Sequence, residues 1–98
     1  MAVEDFLDEV IRERSVENPG FPTLVEAALE RRRLLRALAT ERESLGLSQT
    51  EVAARMGTSQ SSVARLESGE ADARFSTVER FASALGRKVT WTLEPSAR

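Results

Sequence analysis

A glycine at position 57, the ninth residue counted from Gln49, divides the stretch 47–69 into two short segments that each carry helical spacing. Two helices that cross through so tight a turn need particular residues at particular places. Ala53 falls where the helices approach most closely, and a larger side chain there would push them apart. At Gly57 the chain leaves the first helix with positive φ, a conformation glycine adopts without strain. Val63 and Leu66, an i, i+3 pair, turn inward from the second helix onto the first. Ser59 is placed to cap that second helix, and Gln60, Ser61, Ala64 and Arg65 then point outward.

The layout is that of a helix-turn-helix, and its outward set suits the edges of bases. Glutamine pairs bidentately with adenine N6 and N7, arginine with guanine O6 and N7, and small Ser61 and Ala64 allow close approach to the groove floor. The cap at Ser59 leaves the first amides of the helix directed at phosphate. An ordinary helical hairpin with Gln60 and Arg65 in solvent is the alternative, and it requires the Ala, Gly, Val and Leu positions to coincide by accident.

Gln49, Ala53, Gly57, Ser59, Gln60, Val63, Leu66, Glu67 and Gly69, followed by Phe81, Ala82, Ser83, Ala84, Leu85 and Gly86, resemble the XRE helix-turn-helix family of lambda-type repressors and Cro proteins. The resemblance covers roughly 34–85. It implies an all-α, five-helix-type lambda repressor-like domain in which Gln49 holds a phosphate and Gln60, Ser61 and Arg65 read bases. Ser59, Ala64 and Ser68 complete the DNA-facing set. It also implies a structural ion pair between Arg42 and Glu67, and a phosphate or minor-groove contact from Arg74 in the following loop. Glu70 and Asp72 depart from the more basic loop of phage repressors, which weakens contact there.

The net charge of −2 opposes DNA binding, whose affinity draws on cationic contacts with phosphate. Divided, the chain removes the conflict. Residues 1–30 carry eight acids against Arg12 and Arg14, whereas 31–98 carry twelve bases against eight acids. Such asymmetry suits two surfaces with different partners, or an outer helical face that is merely solvated by its acids. With 41% hydrophobic and 31% charged residues the chain reads as one small globular domain with an appendage. Cysteine and histidine are both absent, which excludes disulfides, thiolate sites and imidazole chemistry, so neither an enzyme nor a metal or other cofactor is expected. No run is long and apolar enough for a membrane span and the acidic N-terminus is unlike a signal peptide, which predicts a cytoplasmic protein without membrane partners.

Val3, Phe6, Leu7, Val10 and Ile11 follow the i, i+3, i+4, i+7, i+8 pattern, predicting an amphipathic helix over 3–14 with a stripe to bury against a partner. Asn18, Pro19, Gly20 and Pro22 break the chain, and Thr23 with Glu26 makes a capping box for a helix from 24 to about 45. Its stripe runs through Leu24, Ala28, Leu35, Leu38 and Leu45, while Arg31, Arg32, Arg33 and Arg36 ring the middle. Those arginines could touch phosphate, stand in solvent or pair with the acidic helix.

Beyond the recognition helix, Ser76 is expected to cap a helix whose Val78, Phe81, Ala82 and Leu85 face inward and which Gly86 ends. The tail 88–94 alternates, with Val89, Trp91 and Leu93 on one side. No other segment reads as a strand, so this one wants a partner, and pairing with its own copy would give a two-fold dimer. A tail folded over its own domain is the alternative. Dimerisation would let two recognition helices read a palindrome with half-sites about 34–36 Å apart.

Phe6, Leu7, Asp8 and Glu9, then the break at 18–21, then Glu26, Ala27, Ala28 and Leu29 lead into the helix-turn-helix, the helix at 76–86 and the terminal strand. This order is similar to that of HigA-type antitoxins, which repress their own operon and neutralise a RelE-like toxin. The resemblance implies three parts: an acidic helical extension (1–30) for a RelE/HigB-like toxin, a DNA-binding domain (31–86) and a C-terminal strand and tail (87–98) for homodimer pairing. It implies a sequence-specific repressor bound to a palindromic operator on double-stranded DNA, the antitoxin of a type II toxin-antitoxin operon. A stand-alone XRE regulator, or an interaction module whose DNA binding is secondary, remain the alternatives.

Overall fold

The computed structural model describes residues 21–70 and 73–95. The described residues contain four helices: α1 (Phe21–Ser44), α2 (Gln49–Met56), α3 (Gln60–Ser68) and α4 (Phe75–Ala84). The helix expected over 3–14, with Val3, Phe6, Leu7, Val10 and Ile11, lies outside the described residues.

Helix α1 begins at Phe21, earlier than the capping box predicts. Thr23 therefore lies inside the first turn rather than at the cap. Pro22 is compatible with this start, because the first-turn amides have no intrahelical acceptor and proline presets the helical φ. Of the stripe along α1, Leu35 and Leu38 are buried together with Ala39, whereas Leu24 and Leu45 are exposed. The expected stripe thus packs only through its centre.

Residues Arg32–Thr92 form a compact unit. Its core joins Leu35 and Leu38 of α1, Val52, Ala53 and Met56 of α2, Val63 and Leu66 of α3, and Val78, Phe81 and Ala82 of α4, with Leu85 beyond. Helix α2 packs on both α3 and α4. Ala53, 3% exposed, sits within this packing, where its single methyl leaves room for the neighbouring helix.

The ends of α2 and α3 are satisfied locally. Ser48 accepts from the Glu51 amide at 3.0 Å while its own amide donates to Glu51 Oε1 at 3.1 Å, a capping box. Those bonds hold the Glu51 carboxyl below its ordinary pKa. Gly57 takes φ +70°, and the next amide, of Thr58, closes back on Ala53 O at 2.9 Å, turning the chain into α3. Ser59 Oγ then accepts from the Ser62 amide at 3.2 Å. At the far end of α3, Gly69 takes φ +74°, the left-handed turn that demands glycine; a Cβ there would also press on the Arg32 side chain, with Nε at 3.0 Å and Cγ at 3.2 Å.

Beyond α3 the expected start of α4 is corrected, and the tail is described within one chain only. Arg74, not Ser76, occupies the N-cap of α4, with extended backbone and no side-chain cap bond. Helical bonding starts at its carbonyl, which accepts from the Thr77 and Val78 amides at 3.0 and 3.1 Å, so Ser76 is already within the first turn. The tail forms no strand among the described residues, because ladder bonds need a second strand and a single chain offers none. Val89 instead packs partly buried against the core. Trp91 lies over Phe75 with ring centroids 4.3 Å apart and donates Nε1–H to Glu79 Oε2 at 3.1 Å. Leu93 stays fully exposed.

Candidate nucleic-acid interface

The base-reading face is built on α3. Gln60, Ser61 and Arg65 are exposed along it, Ala64 is half-buried beside them, and Val63 and Leu66 hold the opposite face in the core. Ser59 caps the helix, with its Oγ 3.2 Å from Ser61 Oγ and 2.8 Å from Ser62 Oγ. Ser68 turns back on its own helix, donating to Arg65 O at 3.0 Å. The cap leaves the first turn of α3 with amides directed outward, a favourable position for phosphate.

Behind this face runs a hydrogen-bonded chain of four side chains. Arg42 of α1 clamps Glu67 of α3 through Nε to Oε2 at 2.6 Å and Nη2 to Oε1 at 3.0 Å, and Nη1 donates to Leu47 O at 2.8 Å. Gln49 donates Nε2–H to Glu67 Oε1 at 2.9 Å, and Gln60 donates to Gln49 Oε1 at 2.6 Å. The Arg42 and Glu67 side chains are 11% and 8% exposed. Burial pushes the Glu67 carboxyl up, but the bonds from Arg42 and Gln49 outweigh it and hold the group below its ordinary pKa. Glu67 in turn raises the Arg42 guanidinium, so the pair stays ionised.

The chain changes what Gln49 does. From sequence its task is a phosphate; in the structure its carbonyl and one N–H are engaged by Gln60 and Glu67, leaving one amide hydrogen for a phosphate. Its second consequence is that Gln60, at the start of the recognition helix, is held from behind through its side-chain N–H.

Arg74 stands exposed at the α4 N-cap. It shares an open groove of about 380 Å³ with Arg65, Arg80, Thr58, Ser62 and Thr77, which brings α3 and α4 into one surface. The sequence singles out Arg65 and Arg74 but not Arg80. Its one sequence signal is weak: a base on the solvent side of an amphipathic helix. Of the residues expected at a dimer contact, Val89 and Trp91 lie against their own domain. Among the described residues no cluster of three or more His, Cys, Asp or Glu could hold a metal ion, and no helix is long and apolar enough to cross a membrane.

This geometry agrees with a comparison against known families, in which the model described as helix-turn-helix matches residues 38–91. The chain belongs to the helix-turn-helix family. The match takes in α2, α3 and α4, so both helices of the motif and the Arg65–Arg74–Arg80 groove lie inside the helix-turn-helix region. Among curated proteins, Antitoxin HigA1 of Mycobacterium tuberculosis strain CDC 1551 / Oshkosh is 40% identical over 90 residues, 92% of this chain and 60% of the relative. Antitoxin HigA1 of strain ATCC 25618 / H37Rv matches to the same extent. The chain therefore spans about three fifths of the length of the curated relatives it matches. No solved structure matches significantly.

Proposed function

We propose that this protein is a sequence-specific DNA-binding repressor and the antitoxin of a type II toxin-antitoxin pair. The observation that carries the DNA reading is the exposed Gln60, Ser61 and Arg65 face of α3, braced from behind by Gln49, Glu67 and Arg42. A glutamine and an arginine presented on a capped helix supply the bidentate donors and acceptors that adenine and guanine require in the major groove. Arg65→Ala is expected to cost about 1–3 kcal/mol on the cognate site and to relax preference at one base position. Binding titrations on the upstream DNA and its single-base variants measure this, and unchanged base preference would refute the role of Arg65.

The antitoxin reading is supported by the 40% identity to Antitoxin HigA1 over 92% of the chain and by the charge of residues 1–30. Val3, Phe6, Leu7, Val10 and Ile11 are assigned to a basic RelE/HigB-like toxin, and Val89, Trp91 and Leu93 to a two-fold homodimer whose tails pair as strands. Of these three, Leu93 is already fully exposed. The dimer places two recognition helices on a palindromic operator, and the protein works in the cytoplasm. One sedimentation experiment addresses both contacts. The full chain and a chain lacking residues 1–22 should both sediment as dimers, and only the full chain should grow heavier with the product of the adjacent reading frame. A monomer removes the tail assignment, and toxin capture by the shortened chain removes the N-terminal one.

A further inference from the structure

Arg65, Arg74 and Arg80 line a single groove, and none of the three guanidinium groups has a carboxylate partner among the described residues. The remaining polar lining is hydroxyl: Thr58 from the α2–α3 turn, Ser62 from α3 and Thr77 from α4. On the same unit Arg42 is bound by Glu67, Arg55 by Ala84 O and Arg87 by Glu41, all outside the groove. Three such cations facing one concavity repel one another, and an anion with several oxygens relieves that repulsion while taking hydrogen bonds from guanidinium and hydroxyl together.

The neighbouring face decides which anion this is. An α-helix with its side chains is about 10–12 Å across and the major groove is about 12 Å wide, so a helix seated in that groove brings a sugar-phosphate strand along each flank. The groove is one flank of α3, since Ser62, Arg65 and Leu66 belong to both.

We infer that this groove seats a backbone phosphate of the DNA half-site, with Arg80 as a binding residue of the interface alongside Arg74. The inference rests on the proposed DNA binding and deepens it. It gives α4, otherwise a core helix, a direct contact, and it offsets the acidic Glu70 that precedes the loop. Arg80 carries no base information, so its contribution is uniform over sequence and sensitive to salt.

The test is the salt dependence of binding to two unrelated mixed-sequence duplexes, with circular dichroism to verify folding. Each phosphate contact adds about 0.9 to the slope of log affinity against log salt. Arg80→Gln should lower the slope by about that amount, equally on both duplexes, which is about a 3.5-fold smaller loss of affinity between roughly 0.05 and 0.2 M salt. Arg80→Lys, which keeps the charge, should retain the slope. Arg87→Gln, a control whose guanidinium pairs with Glu41 outside the groove, should also leave it unchanged. An unaltered slope in a folded Arg80→Gln protein overturns the inference and spares the DNA reading; so does an equal fall in Arg87→Gln, since bulk charge would then be the cause. A wild-type protein that binds neither duplex at low salt overturns both. Saturable shifts of the Arg74 and Arg80 Nε–H resonances with inorganic phosphate, together with a slope that Arg80→Gln does not change, would make the groove a free-anion site instead.

Discussion

Arg42→Met is expected to remove about 3–5 kcal/mol of folding stability, the cost of leaving a buried carboxylate without its counter-ion. The Glu67 side chain is 8% exposed, and Arg42 supplies two of its three side-chain hydrogen bonds. Methionine fills much of the vacated space but donates nothing, so Gln49 alone faces the charge. Against the roughly 5–15 kcal/mol by which small domains are stable, such a loss leaves little margin. Urea unfolding measures it directly. In the double variant Arg42→Met, Glu67→Leu, an apolar pair replaces the ions and most of the lost stability should return, because the cost lies in the orphaned charge more than in the missing attraction. DNA affinity should stay low in that double variant. Its α3 is folded but Gln49 has lost its anchor, and Gln60 with it.

Acid titration gives the same prediction an independent sign. In the wild type the folded Glu67 pKa lies below its ordinary value, so its contribution is present above that value and is lost as pH falls through the lower folded one. Glu51 acts in the same direction through its bonds with Ser48, in wild type and variant alike. Without Arg42 the strongest lowering contact is lost and the folded pKa of Glu67 should rise from its wild-type position. The folded variant then takes up its proton at higher pH than the wild type does, so its stability relative to wild type improves as pH falls through the carboxylate range, roughly pH 4. A constant difference between the two proteins across that range would show that Arg42 acts by packing alone.

What could be read without coordinates was what depends on neighbours along the chain. Gly57 at the turn, Ser59 at the cap and Val63 with Leu66 on the inner face come from helical geometry over a few residues. The starts of α1 and α4 did not. Thr23 and Ser76 are better capping residues than those before them, yet each helix begins earlier, and at α4 the helix starts at Arg74 without any side-chain cap. The tail's contacts within its own chain were hidden for a related reason. Alternation over 88–94 is a strand pattern, but Trp91 is held by Phe75 and Glu79, partners more than ten positions away that periodicity does not report. Arg80 joins Arg65 and Arg74 only because α4 folds back beside α3. The Gln60–Gln49–Glu67–Arg42 chain needs three helices in place at once, so sequence could pair Arg42 with Glu67 by resemblance but could not extend that pair to the base-reading glutamine.

The second large effect is expected at Phe81. It is fully buried and has the largest volume of the fully buried side chains, joining α4 to a core that includes Val52 of α2 and Val63 of α3. Phe81→Ala removes a ring that no neighbour can replace without moving, and a loss of about 3–5 kcal/mol is expected from transfer and cavity terms together. The urea midpoint should fall with the slope unchanged, since no polar network is broken and the surface exposed on unfolding stays similar. Its functional consequence should differ from that of Arg42→Met despite the similar cost. The polar chain from Arg42 to Gln60 lies outside the apolar cluster, so a Phe81→Ala protein kept folded by low temperature should bind operator DNA with nearly wild-type affinity and base preference. Arg42→Met under the same conditions should not. Equal loss of affinity in two equally folded variants would mean that α3 is positioned by the core and that the side chains behind Gln60 contribute only stability.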